Sequence, residues 1–564
     1  MKRRDLLRLC RAGAGKRYRD RDEVDFVIVG SGAAGGVLAR ELAQAGFSVV
    51  VLEQGPRLSE ADFTHDEYSR WVQWSMGDDP RDNGQTFRRT ESERASVNPN
   101  APPAIYARTV GGSSVHFTAN FWRFHPSDFA EGTLWGSVPG ADLVDWPISY
   151  DELEPYYTKV DWEVGVSGRA GANPFEPRRS RPYPMPPLPV KSSGVLFERG
   201  CREMGWTAFP APMAITSQPY RGRAGCVHCG FCMGFGCEMR AKSSTLVTMI
   251  PEAESTGRCE IRPESRVVGV ELDRAGRTTG VRYLDASRTE HLQRGKAVIL
   301  SANGAETPRL LFLSESNQFP NGLANSSGAV GRYLMFNGQT LVGASFEHEL
   351  NEFKSVQVTR VMHDFYEADP ERGFYGGGGI DARIFYHPMF WGMEGFGSRD
   401  DPWWGSDYKK LLREYPRSMY VNGHTTSLPV ATNSITLDPR VRDTWGYPAI
   451  RVTYRDHPDD MSMMRFLQDR SVEIAEAAGA KRVWRHPVVE ASITAHLLGT
   501  CRMGTDPATS VIDPDHRTHD VPNLFICDGS SLVTSGRGQP TMTIMALAFR
   551  AAERIGERAR RGEI

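Results

Sequence analysis

Phe26-Val27-Ile28-Val29 is an unbroken apolar run, the pattern of a strand buried on both faces of a parallel sheet. It enters Gly30-Ser31-Gly32-Ala33-Ala34-Gly35, and Val37 to Ala45, rich in Ala and Leu, predicts a helix that Gly46 ends. Val49-Val50-Val51-Leu52 predicts a second strand, closing on Glu53. Val298-Ile299-Leu300, followed by Ser301-Ala302-Asn303-Gly304-Ala305, predicts another buried strand entering a small-residue turn, and Leu524-Phe525-Ile526-Cys527 a late one ending in Asp528-Gly529. Met461 to Ala478 has helical periodicity. Arg57 to Pro103 is polar and irregular, the pattern of surface loops, and the proline-rich Pro174 to Pro189 predicts an extended connector. Phe365 to Trp404 is crowded with aromatics and with Gly376 to Gly379. It reads as sheet core with a long hairpin, a substrate lid or a docking surface. There are no internal repeats.

The first of these units carries chemistry. In a strand–turn–helix–strand fingerprint the first glycine permits the tight turn, the second lets backbone approach a pyrophosphate, and the third lets the helix pack on the strand. An acid ending the second strand can bind ribose hydroxyls, and Glu53 lies 18 residues past Gly35. Glycine is in excess overall, 56 of 564 residues against a typical ~7%. It has no collagen-like period, so it marks turns and close backbone approach.

Composition narrows the rest. Hydrophobic residues at 40% and charged residues at 24% describe an ordinary globular protein. Lys+Arg 67 against Asp+Glu 69 argues against a nucleic-acid surface, and no apolar stretch is long enough for a transmembrane helix. Residues 1–22 form a basic arm whose Arg3-Arg4-Asp5-Leu6-Leu7 is similar to a twin-arginine export signal, but the apolar stretch such a signal needs does not follow. The arm therefore reads as solvated, and the location stays open between cytoplasmic and, if exported with a partner subunit, periplasmic. Nine cysteines do not make a disulfide scaffold, yet four of them, Cys226, Cys229, Cys232 and Cys237, fall within twelve residues.

Six elements occur in a telling order: Val29 to Gly35, Val110-Gly111-Gly112-Ser113-Ser114, Asp145-Trp146-Pro147-Ile148-Ser149-Tyr150, Gly304-Ala305-Glu306-Thr307-Pro308, His496-Leu497-Leu498-Gly499-Thr500-Cys501-Arg502-Met503-Gly504, and Pro540-Thr541-Met542-Thr543-Ile544. Together they resemble the glucose–methanol–choline oxidoreductases, flavoenzymes that oxidise alcohols and sugars. The resemblance implies an α/β fold in which a Rossmann-like FAD domain interweaves with a smaller α+β substrate domain built on an antiparallel sheet. The expected division is 23–345 for the FAD domain, with a cysteine loop at 224–240, then 346–495 for the substrate domain, and 496–564 for the catalytic motif and the return to FAD. FAD is expected on Gly30, Gly32, Ala33, Ala34, Gly35, Glu53, Gly111, Gly112, Ser113, Ser114, His116, Thr118, Ala302, Asp528 and Gly529.

Oxidising an alcohol removes a hydride from carbon, for which flavin is the sink, and a proton from oxygen, for which histidine is the natural acceptor. The resemblance implies His496 as this base. Where the family carries a His or Asn near the C-terminus, this chain has Gln539, which can orient a hydroxyl but cannot act as a second base. In pyranose oxidase, a relative, a histidine placed like His116 bonds covalently to the flavin, with a threonine two residues on, here Thr118; other relatives keep the histidine without the bond.

The four clustered cysteines have the spacing Cys-x2-Cys-x2-Cys-x4-Cys with glycines interleaved, which suits an iron–sulfur cluster better than a structural zinc. Zinc, a reactive disulfide and plain packing stay open. Some bacterial sugar dehydrogenases of the family carry a cluster at a similar point. A cluster would imply a dehydrogenase that passes electrons to a cytochrome or quinone, often beside a small accessory subunit. The expected substrate is a sugar, glycoside or other alcohol, with a ring carbon, the third above all, as the favoured position. The alternatives are an oxygen-using oxidase without a cluster and a redox-inactive flavoprotein.

Overall fold

The computed structural model describes residues 16–73, 77, 79, 82, 84–98, 101–384, 386–394 and 402–564. Arg3, Arg4, Cys10 and most of the basic arm, and Phe385 of the aromatic segment, lie outside the described residues.

Five parallel strands form the heart of a seven-stranded sheet, in the order Cys259–Arg262, Val49–Leu52, Val24–Val29, Glu290–Leu300, Leu524–Ile526. Their apolar runs are buried, and helices Ala33–Gln44 and Met249–Ser255 pack on the sheet. The long strand Glu290–Leu300 changes character along its length. Its first half alternates exposed and buried residues and pairs antiparallel with Thr278–Leu284, whereas Ala297 to Leu300 are all fully buried between Val24–Val29 and Leu524–Ile526. Arg266–Leu272 completes the sheet's antiparallel edge. Helix Ala33–Gln44 starts earlier than its apolar pattern predicts, at the glycine turn itself, and packs against the C-terminal helix Thr541–Arg560.

The second body is a six-stranded antiparallel sheet in the order Arg482–Arg485, Gln339–Ser345, Ser418–Thr425, Gly378–Arg383, Arg360–Met362, Ala208–Pro210. Two of these strands, Ala208–Pro210 and Gln339–Ser345, come from chain before residue 346. Helix Pro458–Ala477 and helix Ser192–Glu203 cover one face, burying Met463, Leu467, Phe197 and Cys201 against Ala344, Ile380, Met419 and Val421. The opposite face carries Asp381, Arg383, Asn422 and His424, since side chains alternate along a strand.

The aromatic segment is sheet core in part: Gly378–Arg383 is one of the strands of this sheet, and the short helices Pro388–Glu394 and Gly405–Leu412 follow it. Its glycine run marks close approach. A Cβ on Gly377 would lie 1.8 Å from the Tyr366 carbonyl oxygen, and one on Gly378 would lie 2.1 Å from that of His424. The stretch from Arg57 to Pro103 is not wholly irregular, since helix Glu67–Trp71 and strands Thr86–Arg88 and Ser96–Val97 lie within it, the strands in a small third sheet.

Candidate active site

A cavity of about 830 Å³ runs from the glycine turn at the ends of the parallel strands to the polar face of the antiparallel sheet. Gly30, Gly32, Ala33, Ala34, Glu53, Gly112, Ser113, Ser114, His116, Thr118, Ala302, Asp528, Gly529, His496 and Gln539 all line it. Gly35 and Gly111 stand behind the wall. None of the four clustered cysteines reaches it, although Met233 and Gly234 of their loop do.

The glycine end fits a dinucleotide. Helix Ala33–Gln44 has no side-chain cap and no acid in its first turn, so its first N–H groups, without intrahelical acceptors, are left for an anion. Gly30 has φ +92, and a Cβ there would lie 2.5 Å from Ser301 O. Gly35 packs so closely that a Cβ would lie 2.0 Å from Gly30 O. Replacing Gly35 by Ala should therefore push the turn away from its phosphate-facing position. We expect the purified variant to hold less than about a tenth of the wild-type flavin, measured as the flavin-to-protein absorbance ratio, because so close a clash cannot be relieved without moving backbone. Full flavin loading would show the turn to be slack.

Glu53 is buried and held in place. Its Oε2 accepts from Ser31 N at 3.0 Å and Ser31 Oγ at 2.7 Å, and its Oε1 accepts from Gly55 N at 3.0 Å. Burial raises its pKa, against these hydrogen bonds. Asp528 likewise accepts from Asn303 N, Thr307 Oγ1 and Ser530 N, locking the late strand's end to the turn after Leu300. His116 stands at the other wall with Nδ1 buried and unpartnered, and burial, then Lys242 and Arg70, holds its pKa well below the usual histidine value.

At the substrate end, Asn337 fixes the chemistry of His496. The Asn337 amide nitrogen donates to Thr425 O at 3.0 Å and Gly536 O at 3.1 Å, so its Oδ1 is the acceptor facing His496 Nδ1 at 3.2 Å. The proton therefore sits on Nδ1, and Nε2 carries a lone pair. Burial, and then His424, pulls the His496 pKa down to about 4, so the ring is neutral and ready to accept a proton at ordinary pH.

The motif reading did not single out the second histidine, His424. It is fully buried, with Nε2 2.7 Å from Asp381 Oδ2 and Nδ1 3.5 Å from Gln539 Nε2. Nε2 also lies 2.9 Å from Arg383 Nη2 and 2.8 Å from Asn422 Nδ2, but that guanidinium nitrogen donates to Asp381 Oδ2. Two facing lone pairs at 2.7 Å would repel, so we place the proton on Nε2, directed at Asp381, with Nδ1 accepting from the Gln539 amide. Arg383 forks onto both oxygens of Asp381. Burial alone would raise the Asp381 pKa, but Arg383 and then His424 outweigh it and hold it at about 2. Asn337, Asp381, Arg383 and His424 belong to no contiguous motif. The one local signal was the unexplained glycine run beside Asp381.

The cysteine loop packs against this site from behind. Its Gly234 N donates to His116 O at 2.8 Å. Cys226, Cys229, Cys232 and Cys237 are free thiols, the first three with pKa values raised by burial. Buried Lys242 donates to Phe117 O at 2.9 Å, Cys232 O at 2.6 Å and Phe235 O at 2.7 Å, with no carboxylate beside it among the described residues.

Family comparison agrees with this architecture. The two halves of the GMC oxidoreductase family model match residues 24–336 and 429–548. The chain belongs to the GMC oxidoreductase family. It is 35% identical over 543 residues to 2-methyl-1,2-propanediol dehydrogenase of Mycolicibacterium austroafricanum, covering 95% of this chain and 96% of that one. It is 29% identical to the fructose dehydrogenase large subunit of Gluconobacter japonicus, covering 94% and 97%. It is also 29% identical to the gluconate 2-dehydrogenase flavoprotein of Pantoea cypripedii, covering 95% and 94%. Among solved structures, pyridoxine 4-oxidase from Mesorbium loti superposes with a TM-score of 0.61 at 18% identity, over 94% of this chain and 98% of that one, and shares the fold. As a GMC oxidoreductase the chain is an FAD-dependent oxidoreductase acting on CH–OH groups. No described helix is long and apolar enough to cross a membrane.

Proposed function

We propose that this GMC oxidoreductase is a dehydrogenase of sugars, glycosides or related polyols, with His496 as its base, Gln539 as its substrate-orienting residue and the cysteine loop as its electron exit. The observation that carries the catalytic part is the tautomer of His496: Asn337 holds the proton on Nδ1 and leaves the Nε2 lone pair for a substrate hydroxyl. Bound FAD supplies the two-electron acceptor for the hydride. The chain's own residues orient the alcohol, exclude water and take its proton at Nε2. Polar groups at the substrate end, Gln339, Asn337, Arg383 and Gln539, suit a polyhydroxylated molecule. The names of the relatives, acting on a diol, fructose and gluconate, support the same class.

The case for an iron–sulfur cluster on Cys226, Cys229, Cys232 and Cys237 rests on four free thiols in a glycine-rich loop and on Lys242. A lysine buried among carbonyls, its pKa lowered to about 8 by burial, lacks a counter-charge, and a thiolate-bound cluster would provide one. Such a cluster supplies single-electron transfer to an external acceptor, a cytochrome or quinone. The large-subunit name of the fructose dehydrogenase relative supports a small partner subunit. The His116 Nδ1, buried and unpartnered at the cavity wall, keeps a covalent flavin link in view, and flavin fluorescence that stays with the SDS-denatured chain would identify it.

Absorption and electron-resonance spectra of anaerobically purified protein, before and after a panel of diols, fructose, gluconate and glucosides, test the whole reading. The expected result is flavin bleaching by at least one substrate together with an iron signal. Bleaching without iron would overturn the relay but keep the dehydrogenase chemistry. No bleaching by any sugar or alcohol would refute the catalytic assignment and favour a redox-inactive flavoprotein.

A further inference from the structure

We propose that His424 is a second catalytic histidine, whose Nδ1 accepts from a neighbouring substrate hydroxyl or a water and whose pairing with Asp381 then receives the proton that alcohol oxidation leaves on His496. The proposal rests on the reading of His496 as first acceptor, and it concerns where that proton goes next. When the C–H bond gives its electron pair as hydride to the flavin and the C=O bond forms, the O–H proton is left on His496 Nε2. It must leave before the next turnover.

Behind His496 there is only a neutral acceptor, Asn337 Oδ1 at 3.2 Å. Behind His424 there is a carboxylate, Asp381 Oδ2 at 2.7 Å. In a buried pocket an imidazolium gains far more from a carboxylate in direct contact than from an amide oxygen. His424 Nδ1 holds the free lone pair, and its one partner, the Gln539 amide at 3.5 Å, is at the outer limit of a hydrogen bond, so a substrate hydroxyl or a water can take that place. The transfer moves one proton from His496 Nε2 to His424 Nδ1, directly or through a water, and changes no oxidation state.

Of the other groups facing His424, buried His363 has an unpartnered Nε2 but no carboxylate partner among its hydrogen bonds, and burial, then His125 and His424, holds its pKa well below the usual histidine value. Arg383 and Asp381 come from the neighbouring strand, Asn422 from its own, Gln539 and the Gly538 backbone from the C-terminal segment, and the Trp122 ring lies edge-on at 6.0 Å. Arg383 offsets part of the carboxylate's charge, its Nη2 lying 2.9 Å from His424 Nε2 on the far side of the ring from Nδ1; burial lowers the His424 pKa, with Asp381 working against that fall and Arg383 adding to it. Arg383 thus serves as the positioning residue that keeps both carboxylate oxygens fixed.

The test is anaerobic single-turnover flavin reduction in the holoenzyme, followed across pH with the panel substrate that bleaches the flavin. His424→Gly should retain flavin yet reduce it about 10²–10³-fold more slowly at saturating substrate, with the rate restored at least about tenfold by added imidazole. Asp381→Asn should give a similar loss with its acid-side pH limb displaced, a readout that a packing role would not move. His496→Gln is run in parallel: if it alone leaves reduction intact, the first-acceptor reading falls, whatever His424 does. The His424 proposal is overturned if His424→Gly reduces flavin within about threefold of wild type, or if its loss is a raised half-saturating substrate concentration that imidazole does not repair. Should His424→Gly lose its flavin, the isosteric Asp381→Asn decides alone, and an unchanged rate and pH profile there overturns the proposal.

Discussion

Replacing His496 by glutamine is expected to slow flavin reduction by substrate about 10²–10⁴-fold while leaving flavin content unchanged, the range lost when a positioned general base is removed. Glutamine keeps a hydrogen-bonding group near Asn337 Oδ1 but offers no basic nitrogen to the substrate. The effect should fall on the rate at saturating substrate and much less on half-saturation, because the lost interaction is made as the proton moves. The pH profile carries a second signature. Burial and the neighbouring His424 hold the His496 pKa at about 4, so the acceptor is already unprotonated near neutrality. Lowering the pH through that value places a proton on Nε2 and blocks the reaction. The wild-type kcat/KM is thus expected to be flat from about pH 6 to neutrality and to fall only in stronger acid. A wild-type rate in His496→Gln, or an acid limb already complete at pH 6.5, would remove His496 from the role of base.

Arg537→Met is expected to cost about 3–5 kcal/mol of stability, the penalty for stranding buried carboxylates. Arg537 is 1% exposed and bonds to both Asp128 and Glu131, while its Nε donates to Tyr366 O at 2.8 Å. Tyr366 OH donates to Asp128 Oδ2 at 2.7 Å, and Tyr375 OH donates to Glu131. The guanidinium therefore ties three distant stretches together, two residues before Gln539. Burial raises the Glu131 pKa to about 7, with Arg537 acting against the rise and Asp128 adding to it. A carboxyl whose folded pKa exceeds its unfolded value stabilises most below the unfolded pKa, and that stability is lost as pH rises through the folded one. Without Arg537 the pair can shed its charge only by taking up protons, so the variant's deficit should be larger at pH 8 than at pH 5.5. Urea unfolding and flavin release at the two pH values measure it. A deficit below about 1 kcal/mol at both would show that the carboxylates reach water or another cation.

Much of this protein is legible along the chain because its governing interactions are local. The strand–turn–helix of Val24 to Gln44 follows from a buried apolar run, three glycines and one helix whose contacts lie within a few residues. Val29, Gly30, Gly32, Ala33 and Ala34 of this unit, with Glu53 and Asp528, line the cavity. The helix at Pro458–Ala477 and the late strand at Leu524–Ile526 were visible in the same way. The motif around His496 was equally readable, though nothing in it says which ring nitrogen is free.

That choice belongs to the tertiary structure. Asn337 reaches His496 from 159 positions away in sequence, and its own amide is oriented by Thr425 O and Gly536 O on two further segments. Asp381 meets His424 because the antiparallel register pairs Asp381 with Asn422 and Gly379 with His424, which makes the two side chains diagonal neighbours on one face. A slip of one residue in either strand would turn that strand's side chain to the other face and part Asp381 from His424, and no pattern within either strand specifies the register between them. The sequence by itself determined the strand, glycine turn and helix that open onto the cavity, and placed His496 in a motif of the family. Sheet register and buried amide orientation alone decided which nitrogen of His496 is left free and which carboxylate stands behind the His424 ring.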